Sequence, residues 1–179
     1  MEESNKRKKN NKKVAEVKTF PVPFGLGIIK ERIAIYSNSK SQINQKQIIN
    51  KAFAFHSEGN FQQAARYYEE LINQEVNDHN IFYNYGLILK DLGNLQKAEL
   101  CQKKAIEINP DFPEAYLNLG NILRDIGKLE EAEISIRKAI ELKPNFPEAY
   151  LNLGLILKDR CKLNQAELSQ RKAIELKPN

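Results

Sequence analysis

Four asparagines, Asn50, Asn84, Asn118 and Asn152, recur at a constant interval of 34 residues and are the side chains best placed to act as a set. An amide donates and accepts hydrogen bonds at once, so a row of amides can hold the backbone of an extended peptide without selecting its side chains. Asparagine is also a mediocre helix former whose side chain competes with the backbone, so its return inside a helical pattern asks for a reason. Two reasons stay open at this level: the row grips a ligand, or each amide ties neighbouring helices together. Groups for covalent or metal chemistry are sparse. His56 and His79 stand apart, at a helix end and a turn, and Cys101 and Cys161 have no Cys or His partner at ligand spacing. Phosphate-loop and His-Glu-x-x-His patterns are missing, and Gly25-Leu26-Gly27 is a lone fragment with no third glycine. The sequence therefore predicts no enzyme: no catalytic residue, no metal site and no cofactor. The unpaired thiols suit a reducing, cytoplasmic setting.

The elements that position the asparagines follow from the same interval. Pro113 to Gly120 returns letter for letter as Pro147 to Gly154, and residues 113–145 and 147–179 agree at 25 of 33 positions, which marks an internal repeat. One period earlier the outline persists in Phe82, Asn84, Tyr85, Gly86, Leu89, Gly93, Leu95, Ala98, Ala105 and Pro110. A more divergent first unit keeps Asn50, Ala52, Phe55, Gly59, Phe61, Ala64, Tyr68 and Leu71. The expected units are 45–78, 79–112, 113–146 and 147–179. Within each, apolar spacing is helical: Tyr116, Leu119, Gly120 and Leu123 share one face of a first helix, and Leu129, Ala132, Ile136, Ala139 and Ile140 one face of a second. Gly127 supplies the left-handed residue that reverses the chain, with Arg160 and Cys161 in the corresponding turn of the fourth unit. Gly120 and Ala132 allow the two helices close approach, and Pro144 ends the second helix. A lone hairpin cannot cover its own apolar stripe, so neighbouring hairpins must stack into a solenoid.

The pattern aromatic-x-x-Leu/Tyr-Gly, followed by Gly, Ala, Ala and Pro at fixed offsets, resembles the tetratricopeptide repeat (TPR) over residues 45–179. The resemblance implies an all-α, right-handed superhelix of four antiparallel helix hairpins whose first helices line a concave groove for extended peptides or partner helices. On that basis the groove carries Ile49, Phe53, Tyr83, Leu87, Leu117, Asn121, Leu151 and Leu155 beside the asparagine row, and the expected function is a scaffold for a protein or peptide partner. The basic residues with which some TPR proteins clamp a terminal carboxylate are missing: Ile49, Tyr83, Phe53, Leu87, Glu114 and Glu148 stand there instead. A looser resemblance, to bacterial TPR proteins whose array precedes a transferase domain, implies an alternative role as the substrate-recruiting arm of a sulfo-, glycosyl- or methyltransferase.

Charge narrows the partner class. The net charge of +5 is concentrated in residues 1–18, where seven basic side chains face three acidic ones, leaving 21 basic and 20 acidic residues elsewhere. A nearly neutral body argues against nucleic acid, because phosphate neutralisation would rest on the tail alone. Residues 1–18 are expected to be a disordered basic tail and 19–44 a proline- and glycine-containing linker, whose apolar residues Phe20, Phe24, Ile28 and Ile29 could clip onto the first unit. Its prolines and glycines break the longest apolar run, so no membrane-spanning segment is expected. Glu99–Lys103, Glu133–Arg137 and Glu167–Arg171 are i, i+4 pairs expected on a solvated outer face. Lys90-Asp91, Arg124-Asp125 and Lys158-Asp159 either line the inner rim or satisfy helix ends. The last unit lacks a C-terminal capping helix, which predicts an exposed strip including Leu153, Leu157, Leu163 and Ile174 and self-association through that hairpin.

Overall fold

A computed structural model describes residues 44–177, and all its regular elements are α-helices. Helix α1 covers 44–57. It is followed by α2 (Phe61–Asn73), α3 (His79–Asp91), α4 (Leu95–Ile108), α5 (Pro113–Asp125), α6 (Leu129–Leu142), α7 (Pro147–Asp159) and α8 (Leu163–Leu176). The basic tail and nearly all of the linker lie outside the described residues; Asn44, placed in the linker by sequence, is already helical.

Local chemistry sets the helix ends. Asn60, Asp78 and Asn94 accept hydrogen bonds from the backbone N–H of Gln63, Asn80 and Lys97, capping α2, α3 and α4. Helices α5 and α7 open instead on Pro113 and Pro147, whose missing N–H costs nothing in a first turn. Each first helix ends in a left-handed residue: Gly59, Gly93 and Gly127 have φ of 74°, 77° and 82°. In the fourth unit Cys161 takes the same role at φ 60°. The turn keeps its form despite that exchange: Cys161 N–H donates to the Lys158 carbonyl and Lys162 N–H to that of Leu157, as Gly127 and Lys128 do to Arg124 and Leu123.

Small residues bring the paired helices together. A Cβ added to Gly120 would lie 2.5 Å from Ile136 Cδ1 and 3.3 Å from the Ala132 carbonyl oxygen, so glycine is what the α5–α6 contact demands. Ala132 and Ala139 are fully buried beside it, and Ile122, Ile136 and Ile156 close the core of successive hairpins. From α2 onward each helix packs on the next along the chain, α2 on α3 through to α7 on α8. First helices also approach their successors, α3 with α5 and α5 with α7, more closely than second helices approach theirs. A stack spaced more tightly on one layer must curve toward that layer, which puts the first helices on the concave side.

Candidate functional site

The register of the first helices decides what the concave side presents. Residues that share a face with the core, such as Ala115, Leu119, Ile122 and Leu123, are buried, and the next face around the helix carries Leu117, Asn118 and Asn121, which are half-buried. Tyr83, Asn84 and Leu87 occupy the same register one unit earlier and are likewise half-buried. One unit later Asn152 is half-buried, while Leu151 and Leu155 stand 47% and 37% exposed, too open for core residues of their size. In α1, Asn50 is exposed, Phe53 is 49% exposed and Ile49 packs partly onto the core. The face is thus an apolar strip edged by amides.

The four amides are not equivalent. Asn84 Nδ2 donates to the Asn80 carbonyl oxygen at 2.8 Å, one turn back along its own helix; among the described residues its oxygen and second N–H have no partner. Asn118 lies near the Tyr83 hydroxyl of the preceding first helix. Burial raises the Tyr83 pKa; the Asn118 bond opposes that shift and the nearby Glu114 carboxylate reinforces it. Asn50 is exposed on α1 and Asn152 is half-buried on α7. Tyr83 is further fixed by Phe112, whose ring centroid lies 4.8 Å away, and Phe112 also meets His79 edge-on at 5.1 Å. Phe112 has no aromatic counterpart in the first unit, where the corresponding residue is Asp78, and spacing gives no sign of its part in holding a groove residue.

Two of the three recurrent glutamates are not on a solvated face. The Glu99 and Glu133 side chains are only 10% exposed, and each is a hub. Glu99 accepts from Lys103 at 2.6 Å on its own helix and from Lys128, in the turn of the next hairpin, at 3.0 Å. Glu133 accepts from Arg137 at 2.8 Å, from Lys162 in the next turn at 3.0 Å and from Arg160. Spacing within one helix reveals the Lys103 and Arg137 pairs but not the bridge 29 residues onward, which exists only once hairpins stack. Glu167–Arg171 does match the expectation, with side chains 62% and 74% exposed. The carboxyl pKa of both hubs is lowered. At Glu99 the Lys103 bond is the largest cause; at Glu133 burial pushes upward and is outweighed by the bonds from Lys162 and Arg137.

The ends of the first helices serve a third purpose. Arg124 Nε donates to Asp159 Oδ2 at 2.6 Å, which joins the C-terminal ends of α5 and α7 across the rim. The predicted apolar strip on the last hairpin is half right: Leu163 and Ile174 are 64% and 67% exposed, but Leu153 and Leu157 are buried. Leu153 and Leu157 sit on the α7 face that packs into the shared core with Leu119, Leu123 and Ile136, so stacking on the preceding hairpin covers them. On the convex side, a crevice of about 310 Å³ floored by Phe82, Tyr85 and Leu89 and another of about 490 Å³ floored by Tyr116, Leu119 and Leu123 recur in register. Leu100 and Ile134 form their exposed lips. Burial raises the Cys101 thiol beside the first crevice to about 11, which keeps it protonated and poorly nucleophilic.

Stacked helical hairpins with an apolar, amide-edged inner face define a helical-repeat protein. The chain belongs to the tetratricopeptide-repeat family: residues 147–179 match the tetratricopeptide repeat model, 120–159 a TPR repeat model, and 51–135 the middle TPR-like domain of cilia and flagella-associated protein 70. Among solved structures it resembles MamA, with 19% identity, a TM-score of 0.72 and coverage of 86% of this chain and 95% of that one. It also resembles YrrB, a TPR protein with an unusual peptide-binding site, with 20% identity, a TM-score of 0.70 and coverage of 86% and 80%. The first TPR domain of Spaghetti (RPAP3), bound to the HSP90 peptide SRMEEVD, matches with 22% identity, a TM-score of 0.63 and coverage of 65% and 93%. No curated protein matches the chain. Among the described residues, no helix is long and apolar enough to cross a membrane.

Proposed function

We propose that the chain is a non-catalytic scaffold of the cytoplasm that holds a peptide or partner protein along its concave face. The observation that carries this reading is the exposure of Phe53, Leu151 and Leu155 at the registers that the half-buried Leu87 and Leu117 occupy in the middle units. Apolar side chains left partly open in a row gain by burial, at about 25 cal/mol per Å² of area removed from water. The amides beside them can satisfy the peptide backbone that such burial would strip of water. Peptide recognition in YrrB and in Spaghetti (RPAP3) supports the reading by analogy of fold.

Panning a random-peptide library on the full chain tests it. Selected peptides are expected to lose at least tenfold in affinity to Leu117→Lys and Leu151→Lys while binding Ile134→Lys, on the convex side, unchanged. Binding that survives both groove substitutions would overturn the concave site. Unchanged affinity in the folded Asn84→Ala, Asn118→Ala, Asn152→Ala triple variant would remove the amides from the grip.

A further inference from the structure

The two convex crevices repeat a chemistry as well as a shape. Each lies between successive second helices, α2 and α4 in one case and α4 and α6 in the other, and is floored by the first helix between them. Both are inside the array, with described helices on either side. One wall of each is a single face of the later helix, with residues at i, i+3, i+4 and i+7: Lys97, Leu100, Cys101 and Lys104 on α4, and Glu131, Ile134, Ser135 and Lys138 on α6. Leu100 and Ile134 stand 66% and 69% exposed, more open than Phe53, Leu151 or Leu155 on the concave face.

The lining selects what can enter. Four of the five charged residues around the crevices are lysines, Lys97, Lys103, Lys104 and Lys138, and only Glu131 is acidic. Lys104 and Lys138 pair with Glu107 and Glu141, whose side chains are 69% and 67% exposed, so water competes for those pairs and a ligand carboxylate can replace them. Lys103 shares the Glu99 carboxylate with Lys128, two cations on one anion. The rim therefore favours carboxylates. The floor is apolar: Tyr85, Leu89, Leu119 and Leu123 are buried, and the Tyr85 hydroxyl is spent on Glu69 at 2.5 Å. The walls are helices whose backbone groups bond one another, so an extended peptide would strand its own N–H and C=O groups there, whereas a helix arrives with its backbone satisfied. From Phe82 to Leu89, or from Tyr116 to Leu123, the floor runs two helical turns, about 10 Å. That length matches apolar anchors at i, i+3 or i+4, and i+7 of a docked helix. We propose that the convex crevices form a second docking surface, distinct from the concave face, and that each seats an acidic amphipathic helix of a partner protein. Its apolar anchors cover the floor on α3 or α5, and its flanking carboxylates meet Lys97 and Lys104 in the first crevice or Lys103 and Lys138 in the second.

Fluorescence anisotropy tests it, with the full chain and a labelled synthetic helix of about 18 residues that carries leucines at i, i+3, i+4 and i+7 and glutamates on its flanks. The same peptide with lysine for glutamate, and the same peptide with a central proline, are the comparators. The glutamate helix is expected to bind, and each comparator to bind at least tenfold more weakly. Leu100→Glu combined with Ile134→Glu, both at exposed positions, is expected to abolish binding while circular dichroism stays unchanged. Lys104→Glu combined with Lys138→Glu is expected to turn the preference toward the lysine helix. Leu151→Lys, on the concave face, is expected to leave this binding as it was, so the two surfaces stand or fail separately. No binding at millimolar peptide, equal binding of all three peptides, binding that survives Leu100→Glu with Ile134→Glu or is lost through Leu151→Lys, a preference unmoved by the charge reversal, or a dimer of the chain that Leu100→Glu with Ile134→Glu dissociates would each overturn the proposal.

Discussion

Glu133 and Glu167 occupy the same position of two nearly identical helices, yet the structure predicts different costs for removing them. Glu133→Gln deletes the charge that meets Arg137, Lys162 and Arg160, on a side chain only 10% exposed. Stripping one partner from a buried ion pair costs about 3–5 kcal/mol when the other charge is stranded. Here the stranding is incomplete: Arg160 keeps Glu130 at 2.9 Å, and the Lys162 and Arg137 side chains are 37% and 52% exposed. The loss is therefore nearer that of charge-assisted hydrogen bonds, about 2 kcal/mol in all. Glu167→Gln removes only the exposed pair with Arg171 and should stay within about 0.5 kcal/mol. Urea unfolding followed by circular dichroism reads both. Acid gives a second check. Against the upward push of burial, basic partners hold the folded Glu133 carboxyl below its unfolded value. Its contribution is therefore complete above the ordinary carboxylate pKa of about 4.3 and is lost as pH falls through the lowered folded value. The difference between wild type and Glu133→Gln must close in that window. Equal costs for the two variants at neutral pH, or a gap that widens in acid, would refute the buried hub.

Three further substitutions exploit the repeat in the same way. Gly120→Ala would push a Cβ to 2.5 Å from Ile136 Cδ1 and 2.6 Å from its Cγ1, and Ile136 is fully buried, so overpacking of about 1–3 kcal/mol should outweigh a helix-propensity gain of about 1 kcal/mol. Gly154→Ala meets the flexible, half-buried Gln170 at 2.8 Å and should cost less; equal or reversed costs in urea unfolding would contradict the packing argument. Cys161→Gly should stabilise by about 0.5–1 kcal/mol, because Cys161 holds φ 60° without a packing gain: a Cβ at Gly59, Gly93 or Gly127 meets nothing within 4 Å. A lowered unfolding midpoint would show that the thiol makes contacts the turn geometry does not reveal.

How much is legible in the sequence depends on whether a feature lives inside one hairpin or between two. Helix faces, the turn at Gly127, the close approach at Gly120 and the stop at Pro144 all follow from residues within a single unit, and the repeat pattern anticipates them. The bridge from Lys162 to Glu133 and the contact of Asn118 with Tyr83 span units, so local spacing shows one partner and hides the other. That is why Glu99 and Glu133 read as ordinary surface pairs. Leu153 and Leu157 fail in the opposite direction: an end-of-array argument predicts exposure, but the α7 face they occupy packs inward against residues of the preceding hairpin.

The same distinction explains how near-identical repeats come to do different things. In a solenoid each unit's stability is its own contribution plus a nearest-neighbour interface term. Identical octets beginning at Pro113 and Pro147 give α5 and α7 the same intrinsic preference over their first turns, but their surroundings differ: Leu117 packs partly onto the core, whereas Leu151 is 47% exposed. Leucine at both positions therefore contributes to the interface in one unit and stays largely open in the next. Substituting Leu151 should thus affect binding with little effect on folding, while substituting Leu117 should affect both, so any peptide-binding defect must be read first from Leu151.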